Sequence, residues 1–505
     1  MLALLQFDAS SRPLVQRMLG EGRLPALAGL LESGRWHELG RSTPLMVEAG
    51  SYVSLYSGDE VGEHGIYSAF QWSAADQRLR FMDHFPVPTA VWDRLSLAGR
   101  RSLVIDPYES WPARHTEGLS LLNGWQFKHK LLLGISRPRS TKARLSLQVG
   151  RPPTIEHFYD RQPPSRLEAI RESLLAGPGR AADAVTDLVD RDQVDLIWVT
   201  FNAAHYAGHY YWDLSRTVKG ELDDARREDL EGTVRQAYEA VDTAIGRIVA
   251  AIPPGSPVVA FSPIGMREET TRSDLLPDML EAVLSGKRRE AAEHNGAAGS
   301  AIWRLRAAMP GNLRSALARP LPGPAVRDLT SRLHLRGTDW TATRAFALPG
   351  DHAGYIRLNL RGREREGIVE PEDREALLDE IAAGLESFRD PDGQPSVASV
   401  HRVAAEIEGP RVDQLPDLIA RWPDRPSSGL TGVASPTFGE VLRRGVGTGR
   451  SGNHDTDAWA IVSPGEARER DLGRSPRITD IPATACALAG ADTAGLAGEP
   501  LLERP

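Results

Sequence analysis

The sequence predicts an α/β protein: a mostly parallel central sheet with helices on both faces, with inserted cap segments. Three observations carry that expectation. Short runs of residues that are apolar throughout recur along the chain, as strands buried on both faces require. Stretches with helical spacing of Leu, Val and Ala separate them. Acidic, amide and histidine residues follow directly after the runs, where open α/β sheets gather their functional groups.

Each element follows in order. "LALLQF" (2–7) is a strand that ends at Asp8. "RPLVQRMLGEGRLPALAGLLESG" (12–34) has helical spacing and stops at Gly34, a helix breaker. "RSLVIDP" (101–107), "VDLIWVTFN" (194–202), "SPVVAFS" (256–262) and "AWAIVSPG" (458–465) repeat the strand pattern. Asp8, Asp106, the stretch Asn202 to His209 and Pro263 then fall at carboxyl ends of strands. Two stretches break the alternation. Residues 266–340, basic and rich in Ala and Arg, read as an inserted helical cap, and 110–165 as a further insertion bordering the site, or each as a solvated surface excursion. The α/β core is accordingly expected in 1–265 and 341–505.

At 505 residues, 41% hydrophobic and 25% charged, the chain has the composition of a folded globular protein. A net charge of -8 repels a polyanion, so no nucleic-acid partner is expected. Cys486 is the sole cysteine, which excludes an intrachain disulfide and any cysteine-based metal site and suits a reducing cytoplasm. The opening "MLALLQFDAS" lacks a basic leader and a cleavage site, so it does not read as a signal peptide. No run approaches the roughly 20 apolar residues that span a bilayer, and no membrane partner is expected.

Three histidines are the first candidates for chemistry. In "FNAAHYAGHYYWDLS", His205 and His209 stand four apart. On a helix that spacing puts both imidazoles on one face, which suits two ligands of one ion and equally an aromatic core face. His454, in the Gly-rich "GRSGNHDTDAWAIV", is a third candidate, or a solvated loop residue. His64, between glycines in "GEHGIY", reads as a turn residue.

Taken together and in order, these segments resemble the alkaline phosphatase superfamily, in its type I phosphodiesterase and nucleotide pyrophosphatase branch. "EGRLPALAGLLESG", "RSTPLMVEAGSYVSLYSGDEVGEHGIY", "WVTFNAAHYAGHYYW", "FSPIGM", "DWTATRAFAL", "GYIRLNLRGREREGIVEP", "LPDLIARW" and "ITDIPATACALAG" carry the likeness over nearly the whole chain. The resemblance implies two metal ions, commonly zinc, and attack on phosphorus by a threonine or serine oxygen. It also implies an Asp-x3-His pair with a late histidine for one ion, and the opening aspartate, an Asp-His dyad and the nucleophile for the other.

Asp8, His209 and His454 match that pattern. Glu48 stands at the nucleophile position, His205 at the first aspartate of the pair, and Pro263 with Ile264 at the dyad. Proline and isoleucine offer no ligand, so the second ion is left with Asp8 and Glu48, too few for firm zinc binding. The first position becomes a three-histidine set, His205, His209 and His454, which suits one divalent ion, Zn2+ or another first-row metal such as Fe2+.

Glu48 then has four readings: general base, fourth ligand, partner of an arginine or, least favoured because attack on phosphorus would give a mixed acyl phosphate, covalent nucleophile; Asp8 is the alternative proton handler. Two function classes stay open. One is a metal-dependent enzyme that hydrolyses or transfers a phosphoryl- or sulfuryl-type ester group of a small molecule. The other is a catalytically silent relative that binds a phosphorylated or sulfated ligand or a partner protein. Arg267, Arg272, Arg361 and Arg363 are candidates for anion recognition, or plain surface residues.

Overall fold

The computed structural model describes residues 1–40, 49–129, 135–155, 161–189, 193–288, 337–350, 352–443 and 449–505, with 325, 327–329, 331 and 335. Seven strands make the central sheet. In chain order they are β1 (Leu2–Phe7), β2 (Arg35–Leu39), β3 (Ser102–Ile105), β4 (Leu119–Leu122), β5 (Leu196–Phe201), β6 (Val258–Ser262) and, late in the chain, Ala458–Ser463. Their spatial order is β2, Ala458–Ser463, β6, β1, β5, β3, β4. The run from β6 to β4 is parallel throughout. The late strand lies antiparallel to both β6 and β2. The sheet is therefore mostly parallel, and all five strands expected from apolar runs lie in it.

Burial on both faces explains why those runs do not alternate. Ala3, Leu5 and Phe7 of β1 pack in one apolar cluster, with Val15, Leu27 and Ala181 from helices α1 (Arg12–Gly20), α2 (Pro25–Ser33) and Pro164–Val189. Leu2 and Leu4 pack in the opposite cluster, with Tyr52 and Val53 of α3 (Ala49–Ser57) and with Ile481 and Cys486 near the C terminus. Successive side chains of a strand point to opposite faces, so a helix layer on each side favours apolar residues at nearly every position, Gln6 and Thr200 being buried exceptions that bond each other.

Two domain expectations meet a different arrangement. Within 341–505, expected to complete the core, Ala345–Leu348, Ala353–Leu358, Ser399–Arg402 and Leu418–Arg421 form a separate four-stranded antiparallel sheet. Its own apolar cluster unites Ile356, Leu378, Ile381 and Leu418 with Met279 and Val283. The cap expected at 266–340 begins instead as part of this second unit, through helix Leu276–Ser285. Residues 289–324 of that cap lie outside the described residues. In 110–165, β4 is the edge of the central sheet, followed by helix α4 (Arg139–Val149). Among the described residues no helix is long and apolar enough to cross a membrane.

Candidate metal centre

β5 ends at Phe201, and Asn202 turns the chain into helix α5 (Ala203–Tyr211), every residue of which is buried. The four-residue spacing sets His205 and His209 on one face of it. His454 comes from the far end of the chain, on a short strand (Gly452–Asp455) paired antiparallel with Gly265–Glu268, opposite Met266. That ladder closes on α5 through glycine. A Cβ on Gly452 would stand 2.4 Å from the Gly208 carbonyl oxygen, and one on Gly208 would stand 2.5 Å from Met266 Cγ.

The three rings converge, with centroids 4.7 to 4.9 Å apart. His205 is 1%, His209 0% and His454 6% exposed, so the cluster is enclosed. Among the described residues they are the one group of three or more His, Cys, Asp or Glu whose ligand atoms gather, all within 4.8 Å of one another.

Outer contacts set the tautomers. Asp8 Oδ2 lies 2.8 Å from His205 Nδ1, and the Gly452 carbonyl oxygen lies 2.9 Å from His209 Nδ1. A carboxylate and a carbonyl only accept, so each Nδ1 carries a hydrogen and each Nε2 is the ring nitrogen turned toward the cluster. His205 Nε2 faces His454 Nε2 at 3.1 Å. His209 Nε2 is buried with no hydrogen-bond partner among the described residues. Burial, and then the positive charge of Arg450, hold His209 well below the usual imidazole range and therefore neutral. Buried imidazoles that turn Nε2 inward, with the outer nitrogens of His205 and His209 held by acceptors, are the kind of donor set that a divalent transition metal takes. The residues fit one such ion.

Among the described residues no second group of this kind gathers. Pro263 and Ile264, where the resemblance puts the dyad, follow β6, and Ile264 is buried in the apolar cluster with Ala9 and Met266. Nor does Asp8 join the convergent group. The sequence offered it as ligand or proton handler, but the structure sets it behind His205. Its Oδ2 takes that imidazole, while its Oδ1 accepts from Gln6 Nε2 at 2.8 Å and from the Tyr52 hydroxyl at 2.9 Å. Burial and the Asp8 charge raise the Tyr52 phenol far above its ordinary range, so it stays a donor. Glu48 lies outside the described residues.

Other candidates resolve as structural groups. His64 Nδ1 accepts from the Ile66 amide at 3.0 Å, which leaves Nε2 to donate to Ser54 Oγ at 3.0 Å. That direction is opposite to the one a base activating a serine needs. Arg267 pairs with Asp424 at 2.7 Å, Arg272 with Asp390 at 2.5 Å, Arg361 with Glu370 at 3.1 Å and Arg363 with Asp417 at 2.6 Å. Their charges are matched internally. Asp106, a strand-end acid, accepts the Trp125 and Gln126 amides at 2.7 and 2.8 Å and so ties down its own loop.

Sequence reading missed Gln6, Tyr52, Tyr108 and Gly452. Tyr108 packs its ring on His205 with centroids 4.7 Å apart. The one local signal for that loop is backbone: Asp106 and Glu109, neither a glycine, adopt φ of 52° and 49°. Ala9, beside Asp8, has φ of 47°. Such left-handed non-glycine residues gather where function constrains the chain.

Comparison with known proteins bears on this centre. A profile of the type I phosphodiesterase / nucleotide pyrophosphatase family matches residues 2–427. The chain belongs to this family. Metal dependence is a property of the family, and the three-histidine group is a possible metal site. No curated protein matches the chain. Among solved structures, phosphonoacetate hydrolase from Sinorhizobium meliloti 1021, in complex with phosphonoformate, is similar with a TM-score of 0.52 and 13% identity, over 97% of this chain and 95% of that one. Its complex with phosphonoacetate gives 0.51 and 14%, with the same coverage. Murine ectonucleotide pyrophosphatase / phosphodiesterase 5 aligns over 99% of each chain at 10% identity and a TM-score of 0.45. The likeness to the hydrolase shows the fold alone, an alkaline phosphatase-like α/β architecture.

Proposed function

We propose that this phosphodiesterase-family protein is a metal-dependent enzyme acting on a phosphoryl-, phosphonyl- or sulfuryl-type group of a small molecule. Its single ion would be held by Nε2 of His205, His209 and His454. The observation that carries the proposal is the buried Nε2 of His209, without a hydrogen-bond partner among the described residues, beside two other inward Nε2 atoms. Zn2+ is the favoured occupant, and the same neutral set also accepts Fe2+. When bound, the ion supplies positive charge against the negative charge that develops on the reacting group.

The chain's own residues do the rest. Asp8 fixes the ring of His205 and its tautomer, and the Gly452 carbonyl does the same for His209. Tyr108 covers the outer face of His205 and restricts water there. No serine or threonine stands at the nucleophile position, so water is the attacking group in this proposal, and Glu48 takes its proton. The small phosphonate ligands of the neighbouring hydrolase structures support a substrate of similar size and charge. The loss of nucleophile and dyad together favours a second reading, a silent ligand binder.

Metal-stripped protein is to be assayed before and after reconstitution with Zn2+ or Fe2+, against bis(p-nitrophenyl) phosphate, p-nitrophenyl phosphate, p-nitrophenyl sulfate and phosphonoacetate. The enzyme reading expects turnover that appears only with the ion and disappears in His454→Ala. Metal-independent binding of these compounds without turnover supports the silent binder instead.

A further inference from the structure

The second sheet carries a chain of three polar side chains at its outer edge. Ser399–Arg402 is the last strand of that sheet and pairs antiparallel with Leu418–Arg421. Ser399 and His401, two apart on it, share one face, and Ser399 Oγ lies 2.8 Å from His401 Nε2. The other ring nitrogen, Nδ1, lies 2.7 Å from Glu406 Oε1. A carboxylate only accepts, so Nδ1 carries a hydrogen, and in the neutral ring Nε2 is left to accept from the serine hydroxyl. His64 and Ser54 meet in the reverse sense. Here the direction is the one by which a base activates a serine.

The surrounding frame holds this order. A single helical turn, Val403–Glu406, returns the chain so that Glu406 faces His401. The turn is pinned at both ends. The Val403 amide donates to the Asp417 carbonyl at 3.1 Å and the Ile407 amide to the Val403 carbonyl at 2.9 Å, while Val403 and Ile407 are buried with Tyr67, Leu415 and Ile419. The reacting groups stay within reach of solvent: Ser399 is half-buried, and the side chains of His401 and Glu406 are 27% and 41% exposed. Arg421 stands opposite Ser399 in the ladder and on the same face, where a guanidinium can meet negative charge that develops beside Oγ.

We propose that Ser399, His401 and Glu406 form a second, metal-independent catalytic site that hydrolyses a small carboxylic ester through an acyl-serine. His401 Nε2 takes the Ser399 proton as Oγ bonds to the ester carbonyl carbon. The carbon–alkoxy bond then breaks, and the alcohol leaves with that proton. Water repeats the sequence: Nε2 takes its proton, its oxygen bonds to the acyl carbon, and Oγ departs with the proton. One ester and one water thus give one acid and one alcohol. Ser399 and His401 are the catalytic residues, and Glu406 is a positioning residue that fixes the imidazole. Two carboxylates bond to this strand, Glu386 at the Val400 amide at 3.2 Å and Glu406 at His401, so an uncharged ester suits the site better than a phosphate anion.

The test uses the full chain stripped of metal, so that the histidine centre adds no turnover. Hydrolysis of p-nitrophenyl acetate is expected, lowered at least about 100-fold in Ser399→Ala and in His401→Ala. Glu406→Gln should lower kcat and leave KM, because Glu406 touches no substrate. Phenylmethylsulfonyl fluoride should sulfonylate Ser399 Oγ with loss of hydrogen fluoride, giving a single adduct that peptide mass spectrometry places on Ser399. That measurement reads the wild type and needs no variant to fold. Absent turnover, turnover that survives Ser399→Ala, an adduct on another residue, or an unchanged kcat in Glu406→Gln overturns the proposal. None of these results bears on the metal centre, whose failure is read from ion content.

Discussion

Asp8→Asn should weaken metal binding without unfolding the protein, and the local hydrogen bonds give the reason. Asp8 Oδ1 accepts two donors, Gln6 Nε2 and the Tyr52 hydroxyl, while Oδ2 faces His205 Nδ1. Gln6 cannot turn over to suit an amide, because its Oε1 accepts from Trp198 Nε1 at 3.3 Å and Thr200 Oγ1 at 3.0 Å. If the new oxygen stays on Gln6 and Tyr52, the new NH2 meets the Nδ1 hydrogen of His205. That drives the hydrogen to Nε2 and removes the lone pair from the centre. If the amide flips, NH2 meets the Gln6 amide donor.

The first orientation turns a hydrogen into the centre, and the second leaves a buried donor facing a donor, a cost of about 1–3 kcal/mol. Loss of such an outer contact lowers metal affinity by about 10- to 100-fold, or about 1.4–2.7 kcal/mol. Competition with a chromophoric chelator measures the affinity of wild type and variant, and circular dichroism verifies the fold. An affinity within about twofold of wild type would refute the assignment of Asp8 as the group that orients His205.

Two further predictions concern the frame around the centre. Gly452→Ala puts a Cβ 2.4 Å from a backbone oxygen that cannot swing aside. It should cost about 1–3 kcal/mol, the range for overpacking, and lower metal affinity as the His454 strand shifts; thermal unfolding and the same chelator assay would show otherwise if both parameters held. Burial lowers His64 to about 3. Since its unfolded value is about 6.5, the unfolded chain binds the extra proton between those limits. The stability that the neutral ring contributes is therefore complete above about pH 6.5 and falls as pH drops toward 3, by up to roughly 4–5 kcal/mol. His64→Gln should flatten the decline of melting temperature between neutral and mildly acid pH, and parallel curves would disprove this origin.

The sheet was legible because its inner strands carry unbroken apolar runs. β2, "RWHEL", and β4, "LSLL", were not, since edge strands have fewer buried positions to mark them. The second sheet escaped notice because its strands are four to six residues long and separated by turns and a helix. For the centre, spacing alone could put His205 and His209 on one helix face, whereas His454 arrives through a ladder 249 residues away in sequence. Its approach rests on two glycines, and no local pattern announces that contact. The role of Asp8 was out of reach for another reason. A ligand and the residue behind a ligand share the same sequence position, and only the direction of its oxygens separates them.

The most direct test of the account is the metal content of purified protein beside its His205→Ala variant, measured by elemental analysis after incubation with Zn2+ or Fe2+. A single three-histidine centre predicts about one ion per chain in the wild type and its loss in the variant. Two ions per chain, or none in either protein, would contradict it.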